Sequence, residues 1–372
     1  MRDGILRRPI TDWDFALESG EERLARWLEG RGWGRAFPLS GEDSPFPVWR
    51  VACRGGSIDI ARFERPGGIS ADLARRDFTV NAMALEVRRP ALVDPFGGRS
   101  DLAAGRLRAV SGRNLEDDPL RVLRAYRLVA RRGWRIIPAT RRLLSRAAPG
   151  LVRVAGERVH AEIVAILEAR SPATAWVQAA KDGALTVLFG VPAARALAGA
   201  RALAPLDGRS RPPVAAADRL ALFLFRASMP PAHARRSLER WKFSREERRE
   251  VELGIGLLAS TFSASDPRRV AFRYRDRPGV RRLVAAAARG RSELRRGGDV
   301  IRALDRGVSG PLPVDGRDVA RWLDLEPGPE IGRALEEAAF RHYLGQWTTP
   351  DQIRRGLRSG ESVDPLRSRR YS

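Results

Sequence analysis

The sequence predicts an α/β head built on a small mixed sheet, followed by a longer all-α remainder. Short β-rich runs gather early, in "FPVWRVACRGGSIDIARF" (46–63) and "LVDPFGG" (92–98), while from about Asp117 the apolar periodicity turns helical nearly everywhere. Pro/Gly-rich breaks at 203–214 and 307–316 then divide the helical part. At 372 residues the chain exceeds one ordinary core, so two or more domains are expected.

Taken in order, residues 14–33 carry Leu17, Leu24 and Leu28 at spacings that put them on one helical face. The 46–63 stretch reads as a hairpin or meander split at Gly55-Gly56. Residues 72–86 continue as a helix bearing "RRDFTVNAMAL", and 92–98 is a strand running into a turn. Helices follow at 117–132, 140–148, 156–169, 173–187, 217–228, 232–241 and 244–259, with no convincing internal repeat.

Composition removes several classes. Hydrophobic residues make up 43% of the chain, ordinary for a globular protein, and "LALFLF" (220–225) is cut short by charge. No apolar run reaches membrane-spanning length, and the first residues lack the apolar core of a signal peptide. A single cysteine, Cys53, excludes an internal disulfide framework and fits a reducing cytoplasm. Three scattered histidines, His160, His233 and His342, argue against a His/Cys metal site. The net charge of +23 suits a phosphate-rich partner. Because Lys181 and Lys242 are the only lysines, the same charge also fits the arginine-rich coding of a GC-rich genome.

Three stretches can carry chemistry. In "TDWDF", Asp12 and Asp14 share one side of an extended segment. Two hard oxygen ligands side by side suit Mg²⁺ beside substrate phosphates, and can serve a two-metal site in which one ion activates an attacking hydroxyl and the other steadies a leaving pyrophosphate. Asp59, in the alternating run "SIDIARF", is a candidate third carboxylate on the same sheet. The competing readings are a solvated turn for the pair and a polar outer face for Asp59. In "LARRDFTVNAMAL" (73–85), Arg75 and Arg76 offer planar forks for phosphate or ribose, and Asp77 can accept from a sugar hydroxyl. Asp77 as the N-terminal cap of a helix is the alternative. In "EDDPLRVLRAYRLVARRGW" (116–134), Pro119 fits a first helical turn, and Asp118, Arg121 and Arg124 follow at i, i+3 and i+6, with Arg127 a step further around. An acceptor beside a fork of donors matches the Watson–Crick edge of cytosine or adenine, whereas uracil and guanine present the reverse order. The alternative is an Asp–Arg surface pair; Leu120, Val122, Leu123, Leu128 and Val129 are core candidates.

Together, "MRDGILRRPITDWDFAL", "RRDFTVNAMAL" and "EDDPLRVLRAYR" resemble, in order and spacing, the signatures of the bacterial class II tRNA nucleotidyltransferase and poly(A) polymerase family. "DPFGGRSDLAAGRLRAV" (94–110), "GERVHAEIVAIL" (156–167) and "LPVDGRDVARWLDLEPGPEIGRALEEA" extend the resemblance over most of the chain, patchily between about 170 and 300. It implies a nucleotidyltransferase head at 1–115, a helical neck at 116–170 that recognises the base, a helical body at 171–300 and a tRNA-binding tail at 301–372. It also implies Mg²⁺ on Asp12 and Asp14, phosphate or ribose contacts from Arg2 and Arg76, and base reading by Asp118 and Arg121. Arg124 and Arg127 would complete the nucleotide pocket. The implied reaction adds C, A or both to tRNA 3′ ends from CTP and ATP. A poly(A) polymerase, or a non-catalytic RNA-binding relative, is the alternative.

Two departures from the family pattern stand out. Met1 occupies the place of a Val, and the strand ending in Gly-Gly that precedes it in the family is absent from the sequence. The expectation is a valine start codon read as Met, with the natural protein extending upstream and a neighbouring strand left with an open edge. Second, only "PGGISADLA" joins Arg65 to Arg75, where many CCA-adding relatives carry a longer loop that helps the pocket switch from CTP to ATP. The short loop favours CC addition alone.

Overall fold

The computed structural model describes residues 1–39, 47–63, 68–208, 214–308 and 310–359. The chain forms two compact units: residues 1–216 with 227–245, and residues 217–226 with 246–372. Among the described residues, the first holds all the strands. A four-stranded mixed sheet runs in the order β1 (Asp12–Leu17), β4 (Gly56–Arg62), β3 (Val48–Cys53), β2 (Arg35–Pro38), with β1 parallel to β4 and the other pairs antiparallel. The small mixed sheet and the helical remainder are as the sequence predicts.

One face of this sheet is apolar. Trp49, Val51, Ile58 and Ile60 alternate inward and pack with Phe15 and Leu17 on Ala25, Leu28 and Leu24 of α2 (Glu21–Gly30). The other face therefore carries the intervening residues: Asp12 and Asp14 on β1, Ser57 and Asp59 on β4, and Arg50 on β3. Gly55, at φ 92°, makes the tight β3–β4 turn. Gly56 is required by close approach, since a Cβ there would lie 1.9 Å from the carbonyl oxygen of Thr11, immediately before β1.

Two expectations are corrected in the head. Residues 14–33 are not one helix, because pairing with β4 holds the chain extended to Leu17 and Gly20, at φ 86°, precedes α2. Residues 72–86 are not a helix either. A short helix α1 (Arg2–Ile5) precedes β1, and α3 (Gly68–Ala74) is followed by an extended Phe78, a 3₁₀ turn at Thr79–Asn81 and the hairpin β5 (Ala84–Glu86) and β6 (Ala91–Val93). Backbone bonds between Asp77 and Val110 and between Thr79 and Arg108 draw this segment out toward residues 108–110. The joining loop at 66–74 lies partly outside the described residues; its described part, 68–74, is α3 itself.

The chain continues through α4 (Gly98–Ala103), β7 (Arg106–Leu107), α5 (Gly112–Asp117) and α6 (Leu120–Arg132). Leu120, Val122, Leu123, Leu128 and Val129 are buried, as expected of the apolar stripe of α6. Gly133, at φ 71°, ends the helix, and its N–H returns to the Val129 carbonyl. Then come β8 (Arg135–Ile136), parallel to β7, and α7 (Pro138–Ala147), α8 (Gly156–Leu167) and α9 (Pro172–Lys181). Helix α6 packs against α8 and α9. The helix expected over 173–187 is split at Asp182-Gly183, where Gly183 has φ 84° and Asp182 accepts from Tyr126 and Arg141.

The second unit is helical in its described residues. Asp218 and Arg277 form a buried ion pair, with Glu250 a second partner of the same guanidinium. Near its end, Ala338, Trp347 and Ile353 make a small core with Trp322 and Leu357. Asp315 opens the helix Gly316–Leu323 through a capping box with Asp318. Among the described residues no helix is long and apolar enough to cross a membrane.

The head's most enclosed carboxylate is Asp101, 1% exposed, which accepts from Thr79, Arg106 and Arg108 and so anchors the 3₁₀ turn. Burial alone would raise its pKa, but the Arg108 and Thr79 hydrogen bonds and the two arginine charges outweigh burial and lower it. A depressed carboxylate stabilises the fold above its unfolded pKa and loses that contribution as pH falls through the folded value. Asp101→Asn should therefore cost about 1–3 kcal/mol at neutral pH. In paired urea melts the deficit should shrink near pH 3; a deficit independent of pH would assign the effect to shape.

Candidate active site

The exposed acidic pair is built by strand geometry. Asp12 and Asp14 stand two residues apart on β1 and face the same side of the sheet. Asp12 accepts from the hydroxyls of Ser57 (3.1 Å) and Thr11 (3.2 Å). Asp14 has no hydrogen-bond or ion-pair partner among the described residues. Two solvent-facing carboxylates, one lightly held and one uncommitted, fit a hard divalent cation.

Asp59 occupies the register position beside Asp14, so the sequence places it on the correct strand and face. Its carboxylate is nevertheless gripped by Arg50 of β3, Nε to Oδ1 and Nη2 to Oδ2, each at 2.7 Å. Hydrogen bonding to Asp59 raises the Arg50 pKa, burial opposes this, and the charges of Asp59, Asp12 and Asp14 add to the rise. Among the described residues no group of three or more acidic, histidine or cysteine side chains is arranged to hold a metal ion. Asp59 is thus a third carboxylate on the same sheet, with both of its oxygens taken up by Arg50.

A second constellation joins the "RRDFTVNA" segment to α6. Asp77 is 5% exposed. Its Oδ1 accepts from the Phe78 N–H and the Asn81 side chain, both at 2.8 Å, and its Oδ2 accepts from Arg124 Nε at 2.9 Å. Asn81 in turn accepts from Arg2 at 2.7 Å; Arg2 also donates to Asp3, which is held by Arg132 at 2.6 Å. The acceptor expected for a sugar hydroxyl is thereby committed inside the fold, and Arg124 and Arg2 are its direct and indirect partners. Arg76 keeps a half-exposed guanidinium, paired with Asp72 at 3.0 Å.

At the start of α6, Asp118 and Arg121 come together, with Nε 3.9 Å from Oδ2. Arg121 also donates to the backbone carbonyls of Arg75 (2.7 Å) and Asn114 (3.2 Å), while Asn114 holds the carbonyls of Ala74 and Arg76. The helix carrying the acceptor–donor pair is thus sewn to the paired arginines of the head. Arg158 of α8 reaches Asp118 at 3.2 Å, a part-exposed contact whose value is orientation, since such pairs contribute at most about 1 kcal/mol. Arg127 is 3.1 Å from Glu162 of the same helix. Burial raises the Glu162 pKa against the pull of Arg127 and Arg124, and burial lowers that of Arg127.

Sequence reasoning assigns no role to Arg50, Asn81, Asn114, Arg158 or Glu162. A signal exists for the last two, because Arg158 and Glu162 stand at i and i+4 on one face of α8.

Residues 1–108 match the family model described as "Poly A polymerase head domain", and residues 133–197 match "Probable RNA and SrmB- binding site of polymerase A". A CC-adding tRNA nucleotidyltransferase of Geobacter sulfurreducens is 31% identical, covering 98% of this chain and 91% of its own. An A-adding tRNA nucleotidyltransferase of Deinococcus radiodurans is also 31% identical, covering 95% and 92%. Among solved structures, the Bacillus stearothermophilus CCA-adding enzyme in complex with CTP superposes with a TM-score of 0.70 at 23% identity, over 97% of this chain and 91% of that one. The Thermotoga maritima CCA-adding enzyme complexed with tRNA gives 0.68 at 22%, over 97% and 89%. At such identities the structural likeness establishes a shared fold; the relatives at 31%, aligned along nearly the whole of both chains, establish more. The chain belongs to the tRNA nucleotidyltransferase and poly(A) polymerase family.

Proposed function

We propose that this protein is an enzyme that extends the 3′ end of tRNA without a template, adding C, A or both, from CTP and ATP with release of pyrophosphate. The observation that carries the proposal is the meeting of Asp118 with Arg121 in the same folded unit as the exposed Asp12–Asp14 pair. Poised together, they supply a base-edge reader and a place for a catalytic cation.

In this reading the RNA 3′-hydroxyl attacks the α-phosphorus of the bound nucleotide, the bond to the β-phosphate oxygen breaks, and pyrophosphate departs. Asp12 and Asp14 would hold Mg²⁺, which when bound supplies the charge that activates the hydroxyl and steadies the leaving group. Arg76 lies beside the nucleotide's phosphates or ribose, and Arg121 presents donors to the ring nitrogen while Asp118 accepts from the exocyclic amino group. Asp77, Arg2, Arg124 and Arg127 act by holding these groups in place, so catalysis is mainly positioning and charge stabilisation. The fourfold division into head, neck, body and tail, with the tail at 301–372 gripping tRNA, is part of the proposal. So is cytoplasmic action, supported by the single Cys53.

C addition is the favoured activity. The short connection between Arg65 and Arg75 supports it, whereas likeness along the chain is the same, 31% identity, to a CC-adding and to an A-adding relative. The test uses a tRNA transcript ending at the discriminator base, with Mg²⁺ and labelled CTP and ATP supplied singly and together. Two C additions are expected, and incorporation of A after them would assign the complete CCA activity. Long A tracts on an unrelated RNA would favour poly(A) synthesis instead.

Replacing Asp12 and Asp14 together by Ala should lower incorporation by roughly 10³-fold, the several kcal/mol of charge stabilisation a metal provides. Gel-shift binding of tRNA should survive; an unaltered rate would remove the carboxylates from the chemistry.

Asp118→Ala should lower selectivity for CTP over UTP by roughly 10²-fold, because the exocyclic amino group loses its acceptor. Measured kcat/KM ratios that stay at the wild-type value would show that the base is read elsewhere.

A further inference from the structure

The Arg50–Asp59 pair stands next to the proposed cation site yet has no role in the reading above. Register puts Asp59 beside Asp14 on the neighbouring parallel strand and directly opposite Arg50 on the antiparallel one. All three side chains stand on the polar face of the sheet with Asp12, because each alternates with residues of the apolar core. The Arg50 fork meets both carboxylate oxygens of Asp59 at 2.7 Å, the bidentate geometry in which such pairs are strongest. Neither side chain is enclosed: Arg50 is 37% and Asp59 23% exposed, so core packing does not account for the pairing. What the pairing changes is the acidic face itself. Three carboxylates in adjacent register positions would present three negative charges to a cation, and the guanidinium cancels one of them while occupying that carboxylate's donor atoms.

We propose that Arg50 is a positioning residue that withholds Asp59 from the cation held by Asp12 and Asp14, limiting the site to two carboxylates. The inference rests on the reading of Asp12 and Asp14 as the ion-holding pair. Its consequence is a cation held loosely enough to retain water-filled positions for the nucleotide's phosphates and to leave with pyrophosphate. This suits Mg²⁺, which favours one or two carboxylates plus substrate oxygens over an all-protein cage. A lone arginine at this place also keeps Asp59 from drawing the ion along the sheet, away from Asp12.

The two halves of the pair should then act in opposite directions, and Arg50→Lys separates withholding from charge alone, since a pure charge effect would leave it at the wild-type affinity. Mn²⁺ alone, without nucleotide, is titrated into the full chain and free ion is read by electron paramagnetic resonance. Arg50→Met removes a positive charge and releases Asp59, and should tighten Mn²⁺ binding by roughly tenfold. Asp59→Asn leaves the arginine fork to turn on Asp12 and Asp14, and should weaken binding by a similar factor. Arg50→Lys, which keeps the charge but loses the fork, should fall between wild type and Arg50→Met and guards against a misfolded Met variant; circular dichroism checks all three. The proposal is overturned when the two single variants move affinity in the same direction, or leave it unchanged while Asp12→Ala with Asp14→Ala abolishes binding. Binding that survives the double Ala replacement would instead refute the ion-holding role of the pair, and the inference with it.

Discussion

The carboxylate of Asp77 is the joint on which the site depends. It is almost wholly buried, and an unpaired charge there would be costly, so its surroundings are fixed by the need to satisfy it. One oxygen shapes the local chain by taking the Phe78 N–H and the Asn81 side chain; the other takes Arg124 from the neck helix. From Asn81 the network continues through Arg2 and Asp3 to Arg132, so the same helix is met again two turns further on. The head's polar segment is thus held to α6 at two points along that helix, Arg124 and Arg132. A rotation of α6 would break both contacts, and so the position of Asp118 relative to the head is set in part by the Asp77 carboxylate.

The acidic residues of the first unit divide by what their environment permits. Asp77, Asp101 and Asp182 are buried and each receives donors from more than one residue. Such groups are stable only because they are satisfied, and their chemistry is thereby closed. Asp12 and Asp14 are exposed, and neither has an arginine within ion-pair distance among the described residues. Carboxylates that water solvates cost nothing to leave unpaired, which keeps them available to a cation that arrives with substrate. Glu162 lies between these cases: it is buried, has one oxygen on Arg127, and carries a second oxygen with no hydrogen-bond partner. Burial raises its pKa against the pull of the nearby arginines.

The parts of the site legible in the sequence are those whose partners lie within one element. The period of two puts Asp12 and Asp14 on one side of a strand, and the i, i+3 spacing puts Asp118 against Arg121 at the head of a helix. What spans elements is harder. Apolar spacing over 72–86 suggests a helix because Phe78, Val80 and Met83 are indeed all buried, yet they are buried by a strand-like bridge and a 3₁₀ turn. Tertiary hydrogen bonds to residues 108–110 override local periodicity there, and no local signal announces them. The reading of Asp77 as a cap comes closer to its structural work than its reading as a sugar acceptor, since it does bond the next N–H. Arg50 opposite Asp59 depends on where the hairpin turns: a turn centred on Gly55-Gly56, as the sequence suggests, would pair residue 50 with residue 61, whereas the chain turns at Arg54-Gly55 and pairs residue 50 with residue 59. A one-residue shift of the turn changes every cross-strand partner in that register.

That register bears on how a charge of +23 should be understood. Many arginines of the first unit are matched, pair by pair, to carboxylates: Arg50 to Asp59, Arg124 to Asp77, Arg127 to Glu162, Arg132 to Asp3, Arg141 to Asp182. A guanidinium beside a carboxylate has little net field beyond a few ångströms, and salt screens what remains. The total charge therefore overstates the attraction any one surface exerts on RNA, and composition alone cannot say where that surface lies. Matching also explains why arginine is so heavily used in places that never meet a phosphate: its planar fork fixes the direction of its partner carboxylate as well as its charge. Directional control of acidic groups is thus a use of arginine in its own right, and even the half-exposed Arg76 and the part-buried Arg121 each stand beside a carboxylate, Asp72 and Asp118.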